Sequence, residues 1–367
     1  MYRYQRKLFE KEAVYIAGPQ CFYTYGYDML AAMRVRTESL GFRVTLPNDH
    51  PLDLDNQDKK KRADSIFHDL KTVMNETTVI IADLEAFRGA EPDSGTVYEL
   101  GMAYAKGARC YGYTRDKRSL STKNQGCVLK GDQVMDERNY RMPYGELPFS
   151  PTIIGSTKII EGDYDDCLKL LMADLEEEYK QAWRRKHLPV REEAAAVPGN
   201  RIYLAVFERY DENAEVILKQ MKDICQSYGY EAVSPLDLAA GVGLEETDNV
   251  YEKAGRLFQN YQQHVRDTDI IIANLNHYRG YEVNNDVGFE CGMGFQLGKR
   301  LYGYMDDTGR MIDRIPHLGE DKEYRDQTGS NVEDFDYPVN LMFACSMKIF
   351  EGTFEQIIGD VMEALEG

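Results

Sequence analysis

The chain contains 367 residues and carries a formal net charge of −18. Its length is sufficient for two domains of ordinary size. The excess of acidic residues argues against a nucleic-acid backbone or an anionic membrane as partner, although a local pocket can still accept a small anionic metabolite.

The cysteines and the N-terminal segment indicate where the protein works. The seven cysteines are scattered and form no CxxC motif, which favours reduced thiols over a disulfide framework. The first residues, MYRYQRKLFEKEAVYIAGP, contain no apolar run long enough for a signal peptide or a membrane helix. We therefore expect a cytoplasmic protein that does not insert into membranes.

Short β-rich runs alternate with helical patterns in the first half of the sequence. Four runs predict strands and four segments predict helices: strands at 14–18, 42–47, 77–84 and 109–114, and helices near 27–41, 60–75, 96–107 and 164–186. This alternation is typical of parallel βαβ units with helices on both faces of the sheet. The stretch 115–149, rich in charge and glycine, is predicted to be an insertion or a lid. The stretch 183–200 mixes charge, proline and small residues, and is predicted to be a linker.

The same cycle then begins again. Strands are predicted at 201–207, 230–234, 269–275 and 300–305, and helices near 211–228, 250–266, 288–299 and 354–367. A direct repeat of this kind indicates tandem duplication. The sequence therefore predicts an α/β protein with two tandem doubly wound, flavodoxin-like domains, each with a mostly parallel sheet of about five strands. The predicted boundaries are 1–190 and 198–367.

Three aspartates of the first half are asparagines in the second half, at a constant spacing. Positions 191 residues apart pair Asp69 with Asn260, Asp83 with Asn274, Asp93 with Asn284, and Glu99 with Glu290. Replacing Asp with Asn keeps the shape of the side chain and removes its charge and its ability to carry a proton. We interpret the pattern as a carboxylate site that is kept in the first copy and neutralised in the second.

The topology places several of these residues in one crevice. In doubly wound sheets, ligands bind beyond the carboxyl ends of the strands where the strand order reverses. Gly18 follows the first predicted strand, Asp83 ends the third, and Glu99 begins the next helix. Gly18 would let the backbone approach a ligand, although a simple turn glycine explains it equally well.

Glu99 has a structural and a chemical interpretation. Thr96-x-x-Glu99 matches a capping box, in which the glutamate only satisfies a helix N-terminus. The second copy has Val287 at the position of Thr96 and still keeps Glu290, which weakens that interpretation. A glutamate in a first helical turn is held in its ionised form by the helix dipole. An ionised carboxylate can attack the anomeric carbon of a sugar.

Asp69, Asp83 and Asp93 taken singly would be surface or capping residues. Together they supply what a glycosyl nucleophile lacks, because crowding raises the pKa of a carboxyl group so that it can protonate a leaving group. Other carboxylates in the group can bind sugar hydroxyls.

Three motifs carry a resemblance to a known family. They are Y-I-A-G-P-x-x-F at 15–22, I-A-D-L-x-x-F-R-G at 81–89 and E-P-D-S-G-T-x-x-E-L-G at 91–101. With them, most of the first half resembles the nucleoside 2-deoxyribosyltransferases. The resemblance implies two displacements at the anomeric carbon with net retention, without metal or cofactor. The substrates would be deoxynucleosides and nucleobases, used in nucleoside salvage.

The resemblance also implies roles for individual residues. Glu99 would be the nucleophile that forms a covalent deoxyribosyl intermediate, and Tyr15 would orient it. Asp93 would bind sugar hydroxyls, and Asp69 would give a proton to the nucleobase or accept one. Phe22 would stack on the base, and Asp83 and Arg88 would lie in a loop that covers the base. The other substrate-binding positions of the motifs would be Gly18, Pro19 and Gly89.

The second half resembles the family more weakly. Gly18-Pro19 is replaced by Val206-Phe207, and Gly95 by Asp286. The family has an N-L-M segment whose asparagine enters the active site of a neighbouring subunit. That segment is present here as 340–342, beginning with Asn340, whereas 150–152 of the first half reads S-P-T. We interpret the chain as a fused pseudo-dimer with one composite site, which could assemble into a further homo-oligomer. Neutral drift in a loop is the alternative.

Other kinds of site are not indicated. The sequence contains no HExxH, no GxxxxGK[ST] and no GxGxxG motif, so neither a metal nor a dinucleotide is expected. Two alternatives to base exchange remain. One is an N-glycosidase of deoxynucleosides or their 5′-monophosphates, for which the acidic Asp93 is unfavourable at a phosphate. The other is a nucleotide-sensing module without turnover.

Overall fold

The computed structural model describes residues 8–47, 49–142, 146–184, 200–319 and 324–366. We refer to the residues up to 184 as the first half and to those from 200 onward as the second half. The predicted linker, 183–200, falls almost entirely outside the described residues.

Each half contains one five-stranded parallel sheet. The strands of the first sheet are β1 (Ala13–Ala17), β2 (Arg43–Thr45), β3 (Val79–Asp83), β4 (Arg109–Thr114) and β7 (Lys158–Glu161). Those of the second are β8 (Arg201–Ala205), β9 (Glu231–Val233), β10 (Ile270–Asn274), β11 (Arg300–Met305) and β14 (Lys348–Glu351). The order in the first sheet is β2-β1-β3-β4-β7, and the second sheet repeats it as β9-β8-β10-β11-β14. The predicted α/β fold with two doubly wound sheets is confirmed.

The helices cover both faces of these sheets. In the first half they are α1 (Gly26–Ser39), α2 (Lys59–Glu76), α3 (Ser94–Lys106), α4 (Leu120–Lys123), α5 (Pro151–Ser156) and α6 (Tyr164–Arg184). In the second half they are α7 (Ala214–Ser227), α8 (Val250–Asp267), α9 (Asn285–Gln296), α10 (Met311–Arg314), α11 (Leu341–Ala344) and α12 (Phe354–Glu366). Short 3₁₀ helices follow β1 and β8, at Pro19–Phe22 and Phe207–Tyr210.

The fifth strand of each sheet was not located by the sequence patterns. Lys158–Glu161 and Lys348–Glu351 are four residues long and mostly half-buried or exposed, since each lies at an edge of its sheet. Such short edge strands lack the continuous apolar run that marks a strand buried on both faces.

One hydrophobic core spans both halves, and each half also has a core of its own. Helices α3 and α9 cross where a Cβ on Gly101 would lie 2.1 Å from the carbonyl oxygen of Phe289, and one on Gly292 would lie 1.9 Å from that of Tyr98. Only glycine permits this separation of the two backbones. Around the crossing, the ring of Tyr98 contacts that of Phe343 at 5.2 Å between centroids. This packing brings the carboxyl ends of both sheets toward the neighbouring half.

Each half also extends an inserted segment onto the other half. The insertion at 115–149 contains the hairpin β5 (Val128–Lys130) and β6 (Gln133–Met135), and its counterpart contains β12 (His317–Leu318) and β13 (Arg325–Asp326). The Arg141 backbone amide donates to the carbonyl of Tyr210 at 2.6 Å, and the Asn331 amide donates to that of Phe22 at 2.7 Å. The insertion at 115–149 therefore packs against the crevice of the second half, and its counterpart against the crevice of the first.

Candidate active site

A cavity of about 370 Å³ lies at the carboxyl end of the first sheet and is completed by the second half. The first half contributes Gly18, Cys21, Phe22, Tyr27, Pro47, Leu52, Leu54, Asp55, Arg62, Ile66, Asp93, Gly95, Thr96 and Glu99. The second half contributes Tyr324, Asn331, Val332, Glu333, Asp334, Phe335, Asn340, Leu341 and Met342. The cavity is therefore a property of both halves together.

Glu99 lines the cavity and accepts a hydrogen bond from Tyr15. The Tyr15 hydroxyl donates to Glu99 Oε1 at 2.8 Å. Burial and the neighbouring Glu99 carboxylate raise the pKa of Tyr15, so the phenol keeps its proton and can act as the donor. Tyr15 is fully buried in the sheet. Its hydrogen bond fixes the orientation of the carboxyl group.

The protonation state of Glu99 differs from the sequence-based expectation. Glu99 is the sixth residue of α3, in its second turn, where the unpaired amide groups of the helix N-terminus are more distant. Burial raises the pKa of Glu99 to about 8, the Tyr15 hydrogen bond lowers it, and the charge of Asp93 adds to the rise. This raised pKa does not agree with the prediction that the helix dipole holds the carboxyl group in its ionised form.

Asp93, rather than Glu99, caps helix α3. Asp93 Oδ2 accepts hydrogen bonds from the backbone amide of Thr96 at 2.7 Å and from its hydroxyl at 2.6 Å. Asp93 Oδ1 is buried without a partner, and burial raises the pKa of the carboxyl group. The capping-box interpretation of Glu99 is therefore wrong, and Asp93 has one oxygen free for a ligand in the cavity that it lines.

Asn340 enters the same cavity from the second half. Its Oδ1 accepts from the backbone amide of Met342 at 2.9 Å. A Cβ on Gly95 would lie 2.9 Å from the Asn340 Nδ2, so the absence of a side chain at Gly95 makes room for this amide. Asn340 and Glu99 both line the cavity.

Gly18 is required by close packing. Its φ of 162° belongs to extended backbone, but a Cβ would lie 2.2 Å from Gln20 Oε1 and 2.8 Å from Asp83 Cβ. The Gln20 amide donates to Asp83 Oδ2 at 2.5 Å, and burial raises the pKa of Asp83. Gly18 lines the cavity, whereas Pro19 and Asp83 do not; Pro19 begins the 3₁₀ helix that carries Cys21 and Phe22.

Asp69 lies outside the lining of the cavity. It is 2% exposed, and its Oδ1 accepts from the backbone amide of His50 at 3.2 Å and contacts the His50 ring. Its other oxygen, Oδ2, is buried without a partner. These contacts fasten the loop after β2. The implied proton exchange between Asp69 and a base remains a prediction.

Phe22 lines the cavity but already has partners for its ring. It stacks on Phe87 with centroids 5.4 Å apart, and the Arg88 guanidinium lies 5.3 Å from its centroid. Stacking on a nucleobase would use its remaining surface.

Arg88 and Gly89 belong to the contact between the halves. Arg88 Nε donates to Asp326 at 3.0 Å and its Nη2 to the carbonyl of Asn331 at 2.6 Å. A Cβ on Gly89 would lie 2.4 Å from the carbonyl oxygen of Arg279. Neither residue lines the cavity, and the substrate-binding role that the resemblance implies for them remains a prediction.

Arg279 repeats this arrangement from the other side. Its Nε donates to Asp136 at 2.9 Å, Nη1 to Glu91 at 3.0 Å and Nη2 to the carbonyl of Arg141 at 3.0 Å. Arg88 and Arg279 both have left-handed φ values, 49° and 51°, a conformation that costs free energy for a residue with a side chain. Buried ion pairs across the contact hold both residues in place.

The equivalent crevice of the second half contains an ion pair. Glu290 accepts from the Tyr203 hydroxyl at 2.8 Å, as Glu99 does from Tyr15. In addition, Arg209 donates to Glu290 Oε1 at 2.7 Å and to Oε2 at 2.6 Å. Burial raises the pKa of Glu290, and Arg209 opposes that rise. Arg209 occupies the position that corresponds to Cys21 of the first half. Glu290 is therefore paired with an arginine, whereas Glu99 faces the cavity.

Asp286 completes the filling of the second crevice. It replaces Gly95 and accepts from the backbone amide of Thr152 at 3.1 Å and from its hydroxyl at 2.6 Å. It also accepts from the Tyr210 hydroxyl. Ser150, which stands where the second half has Asn340, makes no side-chain cap. Protein side chains thus occupy the space that corresponds to the cavity of the first half.

The loss of a carboxylate at Asn274 is compensated nearby. Glu208 stands where the first half has Gln20, and it accepts from the Asn274 amide at 2.7 Å. The first half has the reverse arrangement, with the amide on Gln20 and the carboxylate on Asp83. Asp83 and Asn274 therefore belong to an exchanged acid–amide pair, and the interpretation of this position as simple neutralisation is wrong.

Several functional candidates escaped the sequence patterns. Cys21, Glu333 and Arg62 line the cavity; Cys21 is a variable position of the motif at 15–22, and the other two lie outside the three motifs. Comparing Cys21 with Arg209 in the repeat would have indicated the first. Glu333 lies seven residues before Asn340 in the sequence, and only the contact between the halves places it in the same cavity as Glu99.

Searches for other kinds of site concern the described residues only. Among them, no group of three or more His, Cys, Asp or Glu side chains is arranged to hold a metal ion. No helix in the described ranges has the length and apolar character needed to cross a membrane. All seven cysteines are unpaired.

Comparisons with known proteins agree with the repeat. A family model described as nucleoside 2-deoxyribosyltransferase matches residues 14–142 and 202–342. Among solved structures, a 2-desoxiribosyltransferase from Leishmania mexicana matches with 24% identity and a TM-score of 0.34, covering 45% of this chain and 97% of that chain. A match at that score supports no conclusion by itself. Comparison with curated proteins gave no match. The family model spans more than half of the sequence in two regions that correspond to the two sheets, and the chain therefore belongs to the nucleoside 2-deoxyribosyltransferase family.

Proposed function

We propose that this chain exchanges nucleobases on 2-deoxyribose at one composite site, in nucleoside salvage in the cytoplasm. The observation that carries the proposal is the position of Glu99. Its carboxyl group is oriented by Tyr15 at 2.8 Å and lines a cavity that the second half closes. The two halves would then act as an intrachain pseudo-dimer with domains of residues 1–190 and 198–367.

The chemistry would proceed in two displacements. The Glu99 carboxylate attacks C1′ of the deoxynucleoside, the bond from C1′ to the base nitrogen breaks, and the base departs. A second base then attacks C1′ from the face that the first base left, and Glu99 is released. Asp93 Oδ1, buried without a protein partner, and the Asn340 amide would bind sugar hydroxyls during both steps.

The charge of the cavity favours an uncharged nucleoside over a 5′-monophosphate. Among the described lining residues, Arg62 is the one Lys or Arg side chain, facing five carboxyl groups: Asp55, Asp93, Glu99, Glu333 and Asp334. A phosphate dianion would be repelled by most of these groups when they are ionised. We also expect deoxynucleosides to react faster than ribonucleosides, because a 2′-hydroxyl would crowd the nucleophile and destabilise the oxocarbenium-like transition state.

The test is incubation with deoxyadenosine plus cytosine, and with each deoxynucleoside alone, followed by chromatography. Deoxycytidine formed only in the mixture supports base exchange. Free adenine without a new nucleoside would indicate a hydrolase, and no turnover would indicate a binding module. Equal specificity constants for inosine and deoxyinosine would contradict the proposed sugar selectivity.

A further inference from the structure

Cleavage of a glycosidic bond requires an acid as well as a nucleophile. When the bond from C1′ to the base breaks, the electron pair stays on the base, and protonation of a ring nitrogen makes the base a better leaving group. Asp69, which the family resemblance suggests for this step, does not line the cavity and is bonded to His50. The structure therefore calls for another proton donor, and this inference rests on the proposed function.

Glu333 of the second half is the best-placed carboxyl group. It lines the cavity together with Glu99, although it is only 8% exposed. Its Oε2 is buried without a hydrogen-bond partner. A buried carboxyl oxygen that no protein group satisfies is costly unless a ligand or a proton meets it.

Glu333 lines the cavity together with both aromatic and polar groups. The segment that carries it is attached to the first half by the hydrogen bond from the Asn331 amide to the Phe22 carbonyl. Phe22, Tyr324 and Val332 provide a wall suited to a planar base, whereas Asp93 and Asn340 provide polar groups suited to a sugar. The nitrogen of a glycosidic bond lies at the junction of base and sugar.

The surroundings of Glu333 keep a proton on it. Burial raises its pKa to about 8; Arg88 lowers it, and Asp93 and Glu282 raise it further. The charge of an ionised Glu333 would raise the pKa of two neighbouring thiols, those of Cys21 and Cys345. At neutral pH the carboxyl group is therefore mostly protonated and able to donate.

We propose that Glu333 is the general acid of the composite site, supplied to the nucleophile of one half by the other half. In the first displacement its proton moves to a ring nitrogen of the departing base while Glu99 bonds to C1′. In the second displacement the incoming base bonds to C1′, the Glu99 ester bond breaks, and the proton of the base returns to Glu333. The equivalent position of the first half, at a spacing of 190 residues, is Pro143, which cannot supply an acid to the second crevice.

The test compares two substrates with the parent protein, Glu333→Gln and Asp69→Asn. Deoxyguanosine needs acid assistance to lose its base, whereas 7-methyl-2′-deoxyguanosine already carries a positive charge on the base and departs without it. For both substrates the release of the departing base is measured in the first turnover without an acceptor base, so that only the first displacement contributes. In Glu333→Gln the rate of base release from deoxyguanosine should fall by roughly a hundredfold or more. The rate for the methylated substrate should stay within about threefold of the parent rate.

The controls separate this inference from the proposed function and from a structural role. Glu99→Gln should lose activity toward both substrates, since both reactions need the nucleophile. Equal losses for both substrates in Glu333→Gln would show that Glu333 only maintains the cavity, and a selective loss in Asp69→Asn instead would assign the acid to Asp69. Either result overturns the proposal. A parent protein that exchanges no base at all would overturn the proposed function itself.

A pH profile gives a second readout that does not depend on the methylated substrate. The rate should rise with pH as Glu99 ionises and fall above about 8 as Glu333 loses its proton. In Glu333→Gln the alkaline fall should disappear while the acidic limb remains. An unchanged alkaline limb in this variant would refute the role of Glu333 as an acid.

Discussion

The two crevices of this chain are built on equivalent strands and helices, yet the equivalent glutamates in them have different hydrogen-bond partners. Glu99 has one protein donor, Tyr15, and otherwise faces the cavity. Glu290 has the equivalent donor, Tyr203, and a bidentate partner, Arg209. The comparison shows that retaining a glutamate in a repeat does not mean retaining a site. In the second crevice the glutamate has become half of a buried ion pair that supports the fold.

The largest expected contrast comes from two isosteric substitutions. Glu99→Gln should reduce base exchange by several orders of magnitude and leave stability at pH 8 unchanged or higher. Glu290→Gln should keep most of the activity per folded molecule, but lower stability by about 3–5 kcal/mol, because it leaves the buried Arg209 unpaired. Exchange assays and urea denaturation of both variants measure this. Substantial exchange by Glu99→Gln would contradict the assignment of the nucleophile.

The raised pKa of Glu99 should make the stability of the parent depend on pH more strongly than that of Glu99→Gln. The pKa of Glu99 is raised to about 8 in the folded protein, above its ordinary value of 4.5. The folded state therefore binds the proton more tightly, and the associated stability is complete below about pH 4.5 and lost as the pH rises through 8. Denaturation at pH 6 and pH 9 should show a smaller difference for Glu99→Gln than for the parent. An identical difference would refute the raised pKa.

Transfer of the ion pair into the first crevice should abolish its activity. Cys21→Arg places a guanidinium at the position of Arg209, where it can pair with Glu99. We expect exchange to fall by roughly a hundredfold or more, because a paired carboxylate is a poor nucleophile and the added side chain fills the cavity. Cys21→Ser is the matched control and should stay within about threefold of the parent. Full activity of Cys21→Arg would show that this position does not distinguish the two crevices.

A smaller effect is expected at the segment that crosses between the halves. Asn340→Ala removes an amide from the cavity and should cost about 1–3 kcal/mol, or roughly ten- to a hundredfold in rate. Ser150→Ala changes the equivalent position beside the filled crevice and should leave the rate unchanged. Single-turnover rates of both variants measure this. Equal rates for the two variants would indicate that Asn340 only caps its short helix.

The smallest effect concerns the exchanged acid–amide pair. Gln20→Glu and Asp83→Asn should each lower stability by about 1–3 kcal/mol, because the first places two carboxyl groups together and the second weakens the hydrogen bond. The double variant recreates the pair of Glu208 and Asn274, and its stability should return to within about 1 kcal/mol of the parent. A double-mutant cycle measures the coupling. Simple additivity of the two losses would show that the pair in the second half is not equivalent.

The architecture was predictable from the sequence because its signals are local. Alternating apolar runs and helical spacings located eight of the ten sheet strands, and the repeat predicted two sheets of the same kind. The short edge strands Lys158–Glu161 and Lys348–Glu351 were missed because they lack an apolar run. Asp93 and Glu99 were found by comparing the two copies of the repeat, and Tyr15 was found through the motif that resembles the family.

What the sequence determined is which residues follow which strand; what only the tertiary structure decided is what each side chain faces. The contacts of Arg88 with the second half and the pairing of Arg209 with Glu290 both depend on packing between elements distant in sequence. The protonation of Glu99 and Glu333 likewise depends on burial, which is complete only when the two halves close one cavity. Burial and charge pairing are sums over all neighbours in space, so a pattern along the chain can place a carboxyl group but cannot determine its charge or its partner.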